Sequence, residues 1–240
     1  MKVEGNKYMS KIAKILAFLP ISAGARGRLY RILHIGHGRI GNNFKIGLGS
    51  YIDAPHIELG DNISIGNMVH IKLLDRFILG DDTSIGSSTI ICGAYEFNKF
   101  AERAFICGKN VGILCSHYFD VVAPITIGDN VTIAGKWSQF YTHSFDLVPN
   151  RLDGAISNGN NVYIGAGALI NLGVHICDNV VIQGGTCVNK DITESGVYMS
   201  NTFMRRGNVN QYNELFANNN SKELSTGVKV FLKDAIEVNE

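Results

Sequence analysis

The sequence predicts a mainly β fold in which short parallel strands coil repeatedly around one hydrophobic interior, after a short N-terminal helical segment. Three observations predict it: aliphatic residues recur every six positions, glycine follows many of them, and Asn or Asp stands beside the glycine. The chain of 240 residues is 45% hydrophobic and 18% charged. That composition is sufficient for one large core with small appendages.

The six-residue step is strictest in the C-terminal half, where β-branched residues stand at Ile164, Ile170, Ile176, Ile182 and Val188. A period of six fits neither an α-helix nor a long strand, but six residues can form one short strand and a corner. Three such units close a triangular coil, and stacked coils align their aliphatic residues in an interior column. A β-sandwich is the alternative, but it would space its turns roughly 8–12 residues apart.

Glycine and Asn or Asp mark the predicted corners. The chain has 27 Gly and only 4 Pro, which indicates many tight corners and not a collagen-like chain. Asp61-Asn62 and Asp129-Asn130 each follow a glycine, and such residues accept turn conformations and bond their own backbone. We therefore predict a helical segment over residues 1–34, a β-helix over 35–206 with irregular insertions near 92–124 and 144–159, and a tail over 207–240.

Charge and cysteine content limit the classes of partner. The net charge is +1, so no global field attracts nucleic acid. The five cysteines are odd in number and form no C-x-x-C pair, so neither a disulfide framework nor a zinc site is expected, and a reducing cytoplasm is the simplest location.

The apolar, Lys-flanked residues 7–33 predict one or two amphipathic helices. These either pack against the domain or make a peripheral membrane contact.

At these residues the sequence resembles the hexapeptide-repeat acyltransferases, which include galactoside, maltose and serine acetyltransferases. The resemblance covers roughly residues 35–206 and is most specific in ITIGDNVTIA (125–134), FYTHSFD (140–146) and residues 160–192. It implies a left-handed parallel β-helix, acetyl-CoA as the acyl donor, and a homotrimer with active sites between neighbouring subunits. No metal is expected, because the spacing of the histidines shows no convergent set of ligands.

The resemblance assigns His143 as the base that deprotonates the acceptor. His143 stands where the regular repeat breaks between Ile133 and Ile164, so a loop or coil edge is expected there. A catalytic histidine needs a partner that fixes its tautomer. Asp146 is the nearest carboxylate in sequence and Asp120 is a second candidate, while a main-chain carbonyl would also serve.

The coenzyme candidates also follow from the resemblance, whereas the acceptor candidates come from the irregular, aromatic part of the chain. Small residues on the late coils would present backbone groups to the pantetheine arm, and cations would pair with its phosphates. The coenzyme candidates are Tyr163, Gly165, Ala166, Gly184, Lys190, Arg205 and Arg206. Residues 200–206 lack the proline-fixed turn of the family signature. The acceptor candidates are Trp137, Tyr141, His117 and Asp120, together with the aromatic section at 92–124.

Three functions are compatible with these features. The leading hypothesis is transfer of an acetyl group from acetyl-CoA to a sugar hydroxyl in the biosynthesis of a cell-surface polysaccharide. The second is N-acetylation of an amino sugar nucleotide, which would use the same fold and base. The third is a non-catalytic β-helix scaffold, for which His143 would be dispensable.

Overall fold

The computed structural model describes residues 2–94, 102–145 and 151–200, together with two short strands at 221–223 and 229–231. The chain divides into two compact units, Met1–Ser200 and Asn201–Glu240. The predicted end of the β-helix at residue 206 lies outside the described residues. In the second unit, β24 (Ser221–Glu223) pairs antiparallel with β25 (Lys229–Phe231).

The first unit begins with two helices, α1 (Lys2–Ala17) and α2 (Ala23–Ile32). Pro20, which cannot continue a helix, stands between them. Ser22 caps α2 because its hydroxyl accepts a hydrogen bond from the Ala25 N–H at 3.2 Å. The helical segment predicted over residues 7–33 is therefore present as two helices.

Three parallel sheets follow, and each strand pairs with the equivalent strand of the next coil. Sheet I runs in the order β1 (Lys45–Ile46), β4 (Ser64–Ile65), β7 (Ser84–Ile85), β10 (Gly112–Ile113), β13 (Thr132–Ile133), β18 (Tyr163–Ile164), β21 (Val180–Ile182) and β23 (Gly196–Tyr198). Sheet II contains β2 (Tyr51–Ile52), β5 (His70–Lys72), β8 (Ile90–Cys92), β11 (Tyr118–Asp120), β14 (Gln139–Tyr141), β19 (Leu169–Ile170) and β22 (Cys187–Val188). Sheet III contains β3 (His56–Leu59), β6 (Arg76–Leu79), β9 (Ala104–Cys107), β12 (Ile125–Ile127), β17 (Ile156–Asn158) and β20 (His175–Ile176).

This cyclic order of strands is a left-handed parallel β-helix, so the predicted fold class is confirmed. The inward residues of successive coils align in register, as at Ile113, Ile133 and Ile164. Neighbouring coils are separated by about 4.8 Å, the spacing of hydrogen-bonded strands. Each six-residue step therefore adds one aliphatic residue to a continuous buried column.

Asparagine and aspartate hold the corner between sheets III and I. Residues in the left-handed backbone region recur there at Asn62, Asp82, Asn110, Asn130 and Asn161, each with φ between 55° and 60°. Several side-chain amides donate to the next coil; Asn110 Nδ2, for example, lies 2.9 Å from Asn130 Oδ1. Asn and Asp tolerate this conformation better than other non-glycine residues, which explains their position in the repeat.

The α2 helix covers the open N-terminal end of the β-helix. Tyr30 is fully buried and packs edge-on against Phe44, with ring centroids 5.8 Å apart. The Arg26 side chain, also buried, donates to the carbonyls of Leu19, Ile21 and Ile46 at 2.7–2.9 Å. Within the described part of the chain, neither helix is long and apolar enough to cross a membrane.

The predicted irregular insertion at 92–124 is wrong over most of its length. Residues 104–107, 112–113 and 118–120 form regular coil strands in register with their neighbours. Aromatic residues hide the repeat because Phe105 and Phe119 occupy inward positions and stack with Phe77 and Phe140. Both are fully buried, so they cannot line an acceptor pocket as predicted.

The second predicted insertion, at 144–159, ends earlier than expected. Strand β17 begins at Ile156 and belongs to the regular coil. The residues before it include an antiparallel hairpin of β15 (His143–Phe145) with β16 (Arg151–Asp153). The hairpin leaves the coil directly after β14, which places His143 at the corner between sheets II and III.

Candidate active site

His143 pairs with Asp120 at the edge of sheet II. The His143 Nδ1 atom lies 2.6 Å from Asp120 Oδ2, and the side chains are 30% and 6% exposed respectively. Because the carboxylate is an acceptor, the short contact places the imidazole proton on Nδ1. In the neutral ring, Nε2 then carries the lone pair, as a general base requires.

Thr142 holds the Asp120 carboxylate in place, and that carboxylate in turn orients His143. Its main-chain N–H donates to Asp120 Oδ2 at 3.1 Å, and its hydroxyl lies 2.7 Å from the Asp120 carbonyl oxygen. The same hydroxyl accepts hydrogen bonds from the Val122 and Ala123 N–H groups at 2.9 and 3.0 Å. This threonine is fully buried, so the pair rests on a satisfied network within the coil wall.

An aromatic cleft of about 300 Å³ lies on the outer face of sheet II, and its lining residue Tyr141 stands in register with Asp120 and two positions before His143. Its lining residues are Ser116, Tyr118, Trp137, Ser138, Gln139 and Tyr141. Tyr118 and Tyr141 lie on neighbouring strands with ring centroids 5.7 Å apart. The Tyr141 hydroxyl donates to Gln139 Oε1 at 2.9 Å. The structure thus places two predicted acceptor residues, Trp137 and Tyr141, on one cleft.

One additional residue at a corner brings Trp137 to the cleft. Ile113 and Phe119 are six positions apart, as are Ile164 and Ile170, but the residues in register between them, Ile133 and Phe140, are seven apart. The extra residue lies in the corner at 134–138, where both Gly135 and Trp137 have positive φ. The indole is 71% exposed.

Tyr118, which belongs to the aromatic section predicted to shape the acceptor pocket, lines the cleft. Burial, and then the nearby Asp120 charge, raise the pKa of its phenol to about 12. The hydroxyl therefore stays protonated at neutral pH and can donate a hydrogen bond into the cleft. The signal that could have found it is register, because Tyr118 stands one coil before Gln139.

Two predicted acceptor contacts are corrected by the structure. Asp120 is buried and bonded to His143, a position that suits its alternative assignment as the partner of the histidine and leaves little of its surface for an acceptor. His117 is 1% exposed and occupies the interior column, where its Nδ1 accepts a hydrogen bond from the Ser138 N–H at 3.1 Å. Its Nε2 is buried without a hydrogen-bond partner. Both residues were assigned from proximity in sequence to the aromatic section.

The buried His117 predicts a loss of stability in acid. Burial lowers the pKa of His117 below its ordinary value, so the folded protein keeps this ring neutral while the unfolded chain protonates it. Stability is therefore lost as the pH falls below about 6.5, at a slope of at most about 1.4 kcal/mol per pH unit.

We expect His117→Asn to flatten this slope, because the amide oxygen can still accept from Ser138 and the side chain does not titrate. Urea unfolding at several pH values between about 7.5 and 4.5 measures it. Parallel pH profiles for the two proteins would contradict the expectation.

The coenzyme candidates divide between two corners. Gly165, Ala166 and Gly184 lie on the next two coils, at the same corner between sheets I and II that holds Trp137. A Cβ on Gly165 would lie 2.4 Å from the Gly184 nitrogen, so close coil packing alone requires this glycine. Lys190 is exposed and lies two coils beyond the His143 corner, while Tyr163 lies on the outer face of sheet I. Asp146, Arg205 and Arg206 lie outside the described residues.

The described ranges contain no candidate metal site. Across residues 2–94, 102–145 and 151–200, no group of three His, Cys, Asp or Glu side chains could hold a metal ion. The chemistry that the described site can support is proton transfer by His143, which closely follows a strand that lines a cleft of aromatic and hydroxyl side chains.

Comparison with known proteins identifies the repeat. Residues 156–190 match the family described as the hexapeptide repeat of succinyl-transferase. The chain is 30% identical over 167 residues to UDP-3-O-acylglucosamine N-acyltransferase of Coxiella burnetii, covering 70% of this chain and 42% of that protein. It is 42% identical over 104 residues to galactoside O-acetyltransferase of Escherichia coli, covering 41% and 48%. The chain therefore spans less than half the length of these curated relatives.

A solved structure shares the repeat at lower identity. The hexapeptide-repeat-containing acetyltransferase of Vibrio cholerae, complexed with acetyl coenzyme A, is 19% identical and has a TM-score of 0.43 over 84% of this chain and 85% of that one. The two curated relatives are both acyltransferases by name. Over residues 156–190 the chain is therefore similar to the hexapeptide repeat of succinyl-transferase.

Proposed function

We propose that this protein transfers an acetyl group from acetyl-CoA to a hydroxyl of a carbohydrate, with His143 as the general base. The observation that carries the proposal is the His143–Asp120 pair at 2.6 Å, in which His143 closely follows β14, a strand whose residues line an aromatic cleft. A base oriented by a buried carboxylate suits proton abstraction from a weakly acidic hydroxyl. The galactoside O-acetyltransferase relative supports the reaction class.

The reaction requires one proton to be moved twice. The acceptor hydroxyl would lie against His143 Nε2, which removes its proton while the oxygen attacks the thioester carbonyl carbon. The C–S bond then breaks, and the leaving thiolate takes the proton from the imidazolium, so that CoA leaves as a thiol. Asp120 holds the ring in position and stabilises its transient positive charge.

The cleft supplies contacts suited to a sugar. Aromatic rings such as Trp137 and Tyr141 cover the apolar faces of a pyranose, and hydroxyl or amide groups bond its edges. Gln139 and Ser116 provide such polar groups on the same cleft. The protonated Tyr118 hydroxyl is a further donor for the acceptor or for the carbonyl oxygen that becomes negative during attack.

The corner that continues from Trp137 suits the donor. Ala166, Gly167, Gly184 and Gly185 form two successive small corners, each about 4.8 Å further along the β-helix. Their small side chains leave backbone groups accessible to the amides of an extended pantetheine arm. The complex of the Vibrio cholerae acetyltransferase with acetyl coenzyme A has the corresponding donor.

We further propose that the active form is a homotrimer. Tyr163, Val181 and Val197 stand in register on the outer face of sheet I and are 38–65% exposed. This apolar stripe offers a surface that a neighbouring subunit could cover, which would enclose the open side of the site. Light scattering after size-exclusion chromatography measures the assembly.

N-acylation of an amino sugar nucleotide is the second candidate function, favoured by the 30% identity to an N-acyltransferase over 167 residues. The two reactions leave different products, because mild base hydrolyses an O-acetyl ester and leaves an N-acetyl amide intact. A scaffold without catalytic activity is the third candidate, and it predicts no acetyl transfer with any acceptor.

One assay separates these functions. The protein is incubated with acetyl-CoA and a panel of hydroxyl and amino sugars, free thiol release is followed, and products are identified by mass before and after mild base. We expect thiol release that depends on a hydroxyl acceptor and a product sensitive to base. A base-stable product would favour N-acylation, and no acceptor-dependent release across the panel would favour the scaffold.

A further inference from the structure

The positive charge of the chain is concentrated in its N-terminal fifth. Residues 5–52 contain no Asp or Glu, whereas the remaining positions hold all 21 acidic residues. The cations in this segment are Lys7, Lys11, Lys14, Arg26, Arg28, Arg31, Arg39 and Lys45, out of 22 in the whole chain. A net charge of +1 therefore conceals a strongly basic end and an acidic remainder. Such separation indicates a partner with a negative surface.

Large apolar side chains are exposed in the same segment. Ile15, Phe18 and Ile32 are 65%, 68% and 66% exposed, and Leu33 is also exposed. Their backbone is firmly held, because Arg26 bonds the main chain of the connection between the helices and that of the first coil. The main-chain N–H of Gly49 also donates to the Ala17 carbonyl at 2.7 Å. The apolar side chains are thus presented on a fixed support.

A cleft of about 330 Å³ lies between α2 and the start of the first coil, the segment that leads into β1. Its lining residues are Gly24, Gly27, Arg28, Arg31, Gly41, Asn42, Asn43 and Phe44, and every one of these is neutral or cationic. Gly27 lets the helix approach the coil, since a Cβ there would lie 2.0 Å from the Phe44 carbonyl oxygen. Arg31 donates to Asn42 Oδ1 at 3.3 Å, which holds its guanidinium at the rim. Two guanidinium groups and two amides suit a phosphate group.

We propose that α1, α2 and the first coil form a docking surface for a membrane that contains anionic lipid. Arg28 and Arg31 would bind a lipid phosphate, while Ile15, Phe18 and Ile32 enter the interface between headgroups and acyl chains. A membrane suits this surface better than an acidic protein does. The apolar side chains are scattered among cations, as in peripheral membrane helices, whereas a protein interface would need a contiguous apolar centre.

The charges set the strength and the salt dependence of the contact. Each Lys or Arg near an anionic leaflet adds attraction, which falls off within a Debye length of about 8–10 Å at physiological salt. Lys14 is partly neutralised by Asp53, whose carboxylate lies 3.5 Å away. Arg28 and Arg31 are therefore the cations whose reversal should have the largest effect.

Co-sedimentation of the full chain with vesicles tests the proposal. We expect binding to phosphatidylcholine vesicles with about 30 mol% phosphatidylglycerol to be at least tenfold stronger than to pure phosphatidylcholine vesicles, and to weaken as salt rises from about 0.1 to 0.5 M. Equal binding to both vesicle types, or sedimentation with neither, would overturn the proposal.

Matched variants assign the effect to this surface. Arg28→Glu/Arg31→Glu should lower the partition coefficient at least tenfold, and Phe18→Ser/Ile32→Ser should lower it by a similar factor. The controls Arg76→Glu/Lys109→Glu and Leu114→Ser/Met199→Ser make the same kinds of change elsewhere, at exposed side chains outside the proposed trimer stripe, and should bind as the wild type does. Thermal melts verify that each variant is folded.

Equal loss of vesicle binding in variants and controls would overturn the assignment. Dissociation of an oligomer by Phe18→Ser/Ile32→Ser without vesicles would likewise show that a second copy covers this surface.

Discussion

Replacing His143 with alanine is expected to lower kcat/KM for acetyl transfer by about a thousandfold, within the range that general-base catalysis contributes. The acceptor hydroxyl would lose the group that removes its proton, while the cleft and the donor groove remain. Most of the loss should therefore appear in kcat, with little change in the KM for acetyl-CoA. Initial rates of thiol release at varied acetyl-CoA, in the assay of the proposed reaction, measure both parameters.

His175 offers a matched control for this substitution. It is also a histidine on a coil edge with Nδ1 engaged, in its case 2.8 Å from the Ser157 hydroxyl, but it lies on sheet III. His175→Ala should retain nearly full activity. Unchanged turnover in His143→Ala, or an equal loss in both variants, would contradict the role of His143. An assay that finds no turnover in the wild type would instead reject the proposed function itself.

The fold could be predicted because the pattern that produces it, an aliphatic residue every six positions, can be recognised within a short stretch of sequence. One aliphatic residue every six positions is enough to build the interior column, as Ile164 to Val188 indicate. The prediction failed at 104–124, where Phe105, Cys107 and Phe119 fill the same inward positions. The column requires an apolar side chain of suitable volume and not a β-branched one, so a search confined to Ile and Val misses these coils.

The site was only partly predictable because its contacts join neighbouring coils. His143 could be found from its motif, but its partner Asp120 is 23 positions earlier. Coil lengths vary between neighbouring turns here, so the residue that lies beside His143 cannot be counted off without the register. Once strand β11 is aligned with β14, Asp120 stands opposite Tyr141 and one coil before the histidine. The same alignment brings Tyr118 to the cleft and removes His117 from it.

Asp120→Asn is expected to lower kcat by about 10- to 100-fold and to leave KM nearly unchanged. The Thr142 N–H donates to the oxygen that contacts His143, so the asparagine must place its carbonyl oxygen, and not its amide nitrogen, at that position. The variant therefore keeps Nδ1–H as the donor and Nε2 as the base. What it loses is the negative charge that stabilises the imidazolium during proton transfer.

Comparison of Asp120→Asn with Asp120→Ala separates charge from orientation. Alanine removes both, and it also leaves the Thr142 N–H without its acceptor, so the loss in kcat should approach that of His143→Ala. If Asp120 acts only through the histidine, the double variant His143→Ala/Asp120→Ala should be no slower than His143→Ala alone. Additive losses would mean that Asp120 has a separate role, such as a direct contact with substrate. A kcat for Asp120→Asn as low as that for Asp120→Ala would indicate that the amide has turned and reversed the tautomer, in which case the Thr142 hydrogen bond does not govern the site.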